Sequence, residues 1–119
     1  MSGSGSLFDG RNVVSQFGAV VLVTINYRLG PLGFMNHKEL YDEDPDLKSY
    51  GGMNGLYDQI VALQWTKQFI SDFGGDPDQI TIFGESAGGL SVCSLLVSPL
   101  TKHMFQRAIV QSGSCIGPW

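Results

Sequence analysis

The chain has 119 residues, of which 43% are hydrophobic and 15% charged, and its formal net charge at pH 7 is −4. That composition excludes a disordered chain, and the acidic balance argues against nucleic acid as a partner. No apolar run reaches the roughly 20 residues that a membrane-spanning helix needs, so we expect no transmembrane segment.

The first part of the chain predicts a flexible start followed by a buried strand. Residues 1–6 are glycine and serine after the initial methionine. They lack the basic and apolar regions of a signal peptide, so we expect a flexible tag or linker, or an internal loop. Residues 19–25 form an apolar, β-branched run, which is typical of a strand buried on both faces of a parallel sheet.

A long loop and a long helix are expected next. The glycines and prolines of residues 26–52 indicate a loop with at most short helical turns. Its acidic residues are close in sequence only, so we interpret them as a solvated loop and not as a metal site. They are Glu39, Asp42, Glu43, Asp44 and Asp46. Asn54 is a candidate cap for an amphipathic helix over residues 55–73, in which Trp65, Phe69 and Phe73 widen the apolar face.

The last third of the chain predicts a strand, a helix and a strand. We expect strands over residues 80–83 and 108–111, and between them a helix over residues 88–97 with Leu90, Leu95 and Leu96 directed inward. A short helical turn is expected near residues 101–105. This alternation predicts an α/β fold with a mostly parallel sheet and right-handed crossover helices.

The two cysteines of the chain are Cys93 and Cys115. Cys93 falls within the apolar helix, so we expect a buried free thiol there. The pair by itself does not settle the redox compartment.

The most informative segment is Gly84-Glu85-Ser86-Ala87-Gly88, between the second strand and its helix. In this context the pattern Gly-x-Ser-x-Gly predicts a nucleophile elbow, which holds a serine hydroxyl exposed at the end of a buried strand. Gly84 and Gly88 leave space for the sharp turn, and the N–H of Ala87 can point at an oxyanion from the helix start. The alternative is a structural turn with an idle serine.

Further stretches make a family resemblance specific. Residues 24–34, TINYRLGPLGF, resemble the signature loop of the type-B carboxylesterase and cholinesterase family. In the family's order there follow NGLYDQ, ALQW, FGGDP, TIFGESAGG, SPL and RAIVQSGS. The resemblance identifies residues 1–119 as a partial type-B carboxylesterase domain, truncated at both ends, and implies a fragment of an α/β-hydrolase fold. It implies hydrolysis of a small-molecule carboxylic ester without a cofactor or metal, and it leaves the compartment open.

The resemblance also assigns roles to individual residues. Ser86 is the implied nucleophile, Ala87 an oxyanion donor, and Glu85 a half-buried acid that influences the electrostatics of the site. Arg28 and Asp58 resemble a buried ion pair that ties the signature loop to the following helix.

Trp119 falls where cholinesterase-like members line the acyl pocket, and an ordinary core aromatic is the open alternative.

The chain itself does not supply the partners that Ser86 needs. α/β-Hydrolases provide their triad in the order serine, acid, histidine, but no Asp or Glu follows Ser86 and the only later histidine is His103. The elbow helix carries the chain about 14 Å away from the hydroxyl, so we expect His103 to be a surface residue, and His37 precedes the serine in the loop. The family's His-Gly-Gly oxyanion loop is also missing. We therefore expect these residues by themselves to be inactive.

The strand that precedes that oxyanion loop in the family lies between the strands at 19–25 and 80–83. Without it, those two strands would leave unpaired edges or collapse onto each other.

The leading hypothesis for the parent protein is a serine ester hydrolase that forms an acyl-enzyme. The alternative is a non-catalytic adhesion or scaffold protein of the same fold, and because such relatives typically lose the nucleophile, Ser86 favours the enzyme.

Overall fold

The computed structural model describes residues 3–42 and 52–116. The chain divides into two compact units, Met1–Ala62 and Leu63–Trp119, and the division falls inside its longest helix.

The first unit contains short helices. A 3-10 turn at Gly5–Leu7 precedes the helices, which are α1 (Arg11–Phe17), α2 (Gly30–Phe34), α3 (Lys38–Asp42) and the beginning of α4 (Asn54–Phe69). The described part of the expected loop thus holds only the five-residue helices α2 and α3, as predicted. Glu39 and Asp42 of the acidic stretch lie on α3, whereas Glu43, Asp44 and Asp46 lie outside the described residues.

The described part of the glycine- and serine-rich start is anchored. The backbone N–H of Gly5 donates to Oδ1 of Asn26 at 2.8 Å, and the hydroxyl of Thr24 donates to the carbonyl of Gly5 at 3.2 Å. These two bonds hold Gly5 against residues 24–26.

The predicted strand over residues 19–25 is wrong. The segment has no regular structure, and the side chains of Val20, Val21, Val23 and Ile25 are between 36% and 43% exposed. A strand exists through the hydrogen bonds of a neighbour, and the described part of this unit contains no second strand. An apolar, β-branched run is therefore not sufficient to form one.

The second unit is a strand–helix–strand arrangement. It consists of β1 (Thr81–Glu85), α5 (Ala87–Val97) and β2 (Arg107–Gln111). The strands pair in parallel, with Thr81 opposite Arg107 at one end and Glu85 opposite Gln111 at the other. Helix α5 packs against both strands, so the two predicted strands, the helix between them and the parallel sheet are confirmed.

One face of this sheet is covered and the other is open. Both strands alternate exposed and half-buried residues, because successive side chains of a strand point to opposite faces. Phe83 and Ile109 are direct neighbours on the open face and are 55% and 51% exposed. The buried apolar residues of the unit are Leu63, Ile70, Ile80, Val92, Cys93 and Leu95.

The long predicted helix is present with small differences. Helix α4 begins at Asn54 and not after it: the N–H of Tyr57 bonds the carbonyl of Met53 at 3.1 Å. A 3-10 turn at Ile70–Phe73 continues the helix, and Gly74 ends it with a φ of 80°.

The aromatic residues of this helix do not widen a buried face. Trp65 is 44%, Phe69 36% and Phe73 60% exposed. They contact one another instead, because the ring centroid of Trp65 lies 5.7 Å from each of the other two.

Three details of the second unit differ from the predictions. Leu96 is 49% exposed, because it lies about 100° around α5 from the buried Leu95. The helical turn expected near residues 101–105 lies earlier, as a 3-10 turn at Pro99–Thr101. Cys93 is buried but is not a free thiol, since it forms a disulfide with Cys115, and their Cα atoms are 5.2 Å apart.

Neither a metal-binding cluster nor a membrane-spanning helix occurs among the described residues. Within residues 3–42 and 52–116, no three His, Cys, Asp or Glu side chains are grouped so that they could hold a metal ion. In the same ranges, every helix is too short or too polar to cross a membrane.

Candidate active site

Ser86 occupies the junction between the carboxyl end of β1 and the start of α5. Its backbone has φ 53° and ψ −114°, a conformation that L-residues rarely adopt and that costs free energy. The N–H of Ser86 donates to the carbonyl of Gln111 at 2.9 Å, and its own carbonyl accepts from the N–H of Leu90 at 3.0 Å. The side chain is exposed. The fold therefore holds a strained serine at the surface, between two backbone hydrogen bonds.

The two glycines of the elbow contribute differently. A Cβ atom added to Gly84 would overlap the backbone carbonyl of Gly88, whereas a Cβ atom on Gly88 would meet nothing within 4 Å among the described atoms. The close approach of the two backbones is therefore possible only because residue 84 has no side chain. The backbone of Gly88 thus excludes a side chain at residue 84, whereas the space beside Gly88 itself is open among the described atoms.

Ala87 is the first residue of α5. The first N–H groups of a helix have no partner within it, and the N–H of Ala87 has no acceptor in the described part of the chain. Such a group, at the positive end of the helix dipole, can donate to a negatively charged oxygen beside Ser86.

Glu85 is exposed, although the family resemblance implies a half-buried carboxylate. As the last residue of β1, it lies on the same face of the strand as Thr81 and Phe83. Helix α5 covers the opposite face of the sheet, so no element of the described second unit shields this carboxylate.

The described part of the second unit places no base against the serine. The hydroxyl of Ser86 has no hydrogen bond to a side chain within the described second unit. His103 is exposed and lies in the turn after Thr101, with a φ of 66°. His37 belongs to the first unit, where its Nδ1 accepts from the backbone N–H of Glu39 at 3.3 Å.

Arg28 and Asp58 form a forked ion pair in the first unit. Nη2 of Arg28 lies 2.6 Å from Oδ1 of Asp58, Nε lies 2.8 Å from Oδ2, and the backbone N–H of Arg28 also donates to Oδ2 at 2.9 Å. The hydrogen bonds from the guanidinium lower the pKa of Asp58 and raise that of Arg28. The side chain of Asp58 is 24% exposed and that of Arg28 is 51% exposed, so the pair is less buried than the resemblance implies.

Residues that the sequence did not single out also shape the site. Because Glu85 pairs with Gln111, Ser112 follows β2 as Ser86 follows β1, and Ser112 likewise has a positive φ, 49°. The backbones of Gly89 and Gly113 meet beside this point, where a Cβ atom on Gly89 would lie 3.1 Å from the carbonyl oxygen of Gln111. The signal in the sequence was the Ser-Gly pair directly after the last strand. Trp119 lies outside the described residues.

The profile of the carboxylesterase family matches residues 1–119. The para-nitrobenzyl esterase of Bacillus subtilis is 49% identical over 113 residues, which are 95% of this chain and 22% of that protein. The bile salt-activated lipase of Bos taurus is 46% identical over 116 residues, 98% of this chain and 18% of the lipase. Neuroligin-2 of Mus musculus is 44% identical over 119 residues, 100% of this chain and 13% of neuroligin-2.

Solved structures give the same result. A thermophilic para-nitrobenzyl (PNB) esterase superposes with a TM-score of 0.82 at 48% identity, over 95% of this chain and 22% of the esterase. A carboxylesterase of Geobacillus stearothermophilus superposes with a TM-score of 0.83 at 47% identity, over 96% of this chain and 23% of that structure. The chain thus spans between 13% and 22% of the length of the curated relatives described above. It belongs to the carboxylesterase family, and its strand–helix–strand unit is part of an α/β-hydrolase fold.

Proposed function

We propose that the protein carrying this chain is a serine carboxylesterase that hydrolyses small-molecule carboxylic esters with Ser86 as its nucleophile. The observation that carries the proposal is the backbone of Ser86, with φ 53° and an exposed side chain at the junction of β1 and α5. A strained residue is retained only where the surrounding structure enforces it, and such residues concentrate at functional sites. Family membership supports the same chemistry.

The proposed reaction proceeds through an acyl-enzyme. Oγ of Ser86 attacks the carbonyl carbon of the ester while a base takes the hydroxyl proton. The carbonyl oxygen becomes negatively charged, and the N–H of Ala87 donates to it. The tetrahedral intermediate then expels the alcohol, which takes up the proton. Water attacks the acyl-serine by the same route, releases the carboxylic acid and restores the Ser86 hydroxyl.

The base and its carboxylate partner are expected outside residues 87–119. In α/β-hydrolases they follow the nucleophile in the order acid, histidine, and no Asp or Glu occurs after Ser86 in this chain. We assign Glu85 an electrostatic effect only, because its exposed carboxylate interacts with the reaction through solvent.

A fluorophosphonate probe tests the proposal. The complete protein should be labelled at Ser86, with the modified peptide identified by mass spectrometry, and Ser86→Ala should abolish both labelling and p-nitrophenyl acetate turnover. Ser94→Ala is a matched control, because Ser94 is an exposed serine of the same helix whose hydroxyl donates to the carbonyl of Leu90 at 3.1 Å. Equal labelling of the wild type and Ser86→Ala would refute the assignment.

The second candidate is a non-catalytic adhesion or scaffold protein of the same fold. One relative that aligns over the whole chain is named neuroligin-2 and not an esterase or lipase. The serine between Gly84 and Gly88 favours the enzyme, because a scaffold needs no exposed hydroxyl in a strained conformation. A folded complete protein that neither reacts with the probe nor turns over any ester would decide for the scaffold.

A further inference from the structure

Residues 112–116, which we call the post-strand segment, follow β2. Three contacts join the end of β2 and this segment to Ser86 and to α5, the helix that begins directly after it. The first contact is the 2.9 Å hydrogen bond that the N–H of Ser86 donates to the carbonyl of Gln111, the last residue of β2. In the second, the backbones of Gly89 and Gly113 touch: a Cβ atom added to Gly113 would lie 3.1 Å from the backbone of Gly89. The third is the disulfide. In chain order they join Ser86 to Gln111, Gly89 to Gly113, and Cys93 to Cys115.

The spacing of these contacts shows how the segment lies. On the helix side, positions 86, 89 and 93 are three and four residues apart, which places them on one helix face. On the other side, every second residue makes a contact, at 111, 113 and 115. Seven residues of helix rise about 10 Å, and four residues of chain reach at most about 14 Å. The segment therefore runs along α5, from beside Ser86 to a point two turns further on.

The disulfide is the main attachment of residues 114–116, the second half of the post-strand segment. Ser114, Cys115 and Ile116 are exposed, and Ile116 is 90% exposed. The hydrogen bonds of these three residues are local ones between Ser114 and Ile116. Among the described residues, and apart from the continuous chain itself, the bond to Cys93 is therefore the only covalent or hydrogen-bonded link from residues 114–116 to the rest of the protein.

We propose that Cys93 and Cys115 are positioning residues that determine substrate selectivity. Their disulfide fixes the post-strand segment as one wall of the space beside Ser86. This inference rests on the proposed esterase function, and it adds that the wall is fastened by a bond that can be opened chemically. The segment begins next to Ser86, so fixing its far end restricts the size of the ester groups that fit there. The chemistry at Ser86 itself does not involve the sulfur atoms.

Reduction of the folded complete protein tests this inference. A water-soluble phosphine breaks the S–S bond, supplies two electrons and becomes the phosphine oxide, with oxygen from water, while two protons complete the two thiols. Cys115 is exposed and Cys93 is buried, so we expect the phosphine to reach the bond from the side of Cys115. We expect the ratio of kcat/KM between p-nitrophenyl acetate and p-nitrophenyl hexanoate, or between small and bulky acetate esters, to change about tenfold, the discrimination typical of a fitted apolar pocket.

The variant Cys93→Ala/Cys115→Ala provides the control. It should show the selectivity of the reduced wild type and should not respond to phosphine. Fluorophosphonate should still label Ser86 in the wild type, the reduced protein and the variant, because the nucleophile is retained. Unchanged selectivity after complete reduction, with labelling intact, would overturn the positioning role and leave the proposed function standing.

A protein that fails to label at all would overturn the proposed function and is a separate outcome. Hydrogen exchange then tests the attachment itself. Reduction should raise the exchange of the amides of residues 114–116 at least several-fold without affecting β1, whereas unchanged exchange there would refute the fastening as well.

Discussion

The backbone of Gly88 lies so close to Gly84 that a Cβ atom at Gly84 would overlap the Gly88 carbonyl group. We expect Gly84→Ala to destabilise the protein by about 1–3 kcal/mol, the usual cost of forcing extra volume into a tight site. The displaced elbow should also lower the rate of fluorophosphonate labelling. Urea unfolding and labelling kinetics on the complete protein measure the two effects.

Gly88→Ala is the matched control for this substitution, because its Cβ atom would meet nothing within 4 Å among the described atoms. We expect no loss of stability, and at most a gain of about 1 kcal/mol from the higher helix propensity of alanine. If both variants lost the same stability, the asymmetry between the two glycines would be refuted.

The positive φ of Ser86 predicts a trade between stability and activity. Ser86→Gly and Ser86→Ala both remove the hydroxyl and should both be inactive, but only glycine adopts φ 53° without strain. We therefore expect Ser86→Gly to be about 1 kcal/mol more stable than Ser86→Ala in urea unfolding. If the alanine variant proved equally stable or more stable, the backbone at this position would not be strained.

Local sequence patterns were sufficient to predict the part of the fold around Ser86. The strands at 80–83 and 108–111, the helix between them and the Gly-x-Ser-x-Gly turn all depend on residues a few positions apart. These elements also contact one another, so the local preference and the tertiary packing agree. The exposed position of Ser86 at the end of a strand follows from the same pattern.

The predictions that failed depend on partners distant in sequence. Residues 19–25 have the composition of a buried strand, but a strand needs a neighbour, and the described first unit offers none. The disulfide between Cys93 and Cys115 depends on the path of residues 112–116 along α5. That path follows from the parallel pairing of β2 with β1, which composition does not reveal. The exposure of Glu85 likewise depends on which sheet face α5 covers.

The ion pair between Arg28 and Asp58 predicts an acid-dependent loss of stability. Hydrogen bonds from Arg28 lower the pKa of Asp58 below its ordinary value of 3.8. The contribution of the pair is therefore complete above pH 3.8 and is lost as the pH falls through the lowered pKa. Asp58→Asn should lower the urea midpoint at pH 7 by less than Gly84→Ala does, because Arg28 is half exposed and solvent screens the pair.

The difference between the wild type and Asp58→Asn should remain constant from pH 7 to about pH 5 and shrink below the ordinary pKa of an aspartate. Asp9→Asn is the control, since within the described residues Asp9 pairs only with Arg11, and the side chains of Asp9 and Arg11 are 48% and 89% exposed. It should leave the urea midpoint unchanged. If the difference for Asp58→Asn grew on acidification, the assigned direction of its pKa shift would be wrong.

No base lies beside Ser86 in the described part of the second unit. We therefore predict that these residues, produced by themselves, hydrolyse esters no faster than their own Ser86→Ala variant. An unassisted serine hydroxyl is a poor nucleophile, and removing triad members lowers the rate by about 10⁴ to 10⁶. The measurement is p-nitrophenyl acetate turnover, with circular dichroism to establish that both chains have the same secondary structure. His103→Ala completes the set, because His103 is the only histidine after Ser86. Turnover that exceeds the Ser86→Ala level and disappears in His103→Ala would show that this exposed turn reaches the serine, and would refute the prediction.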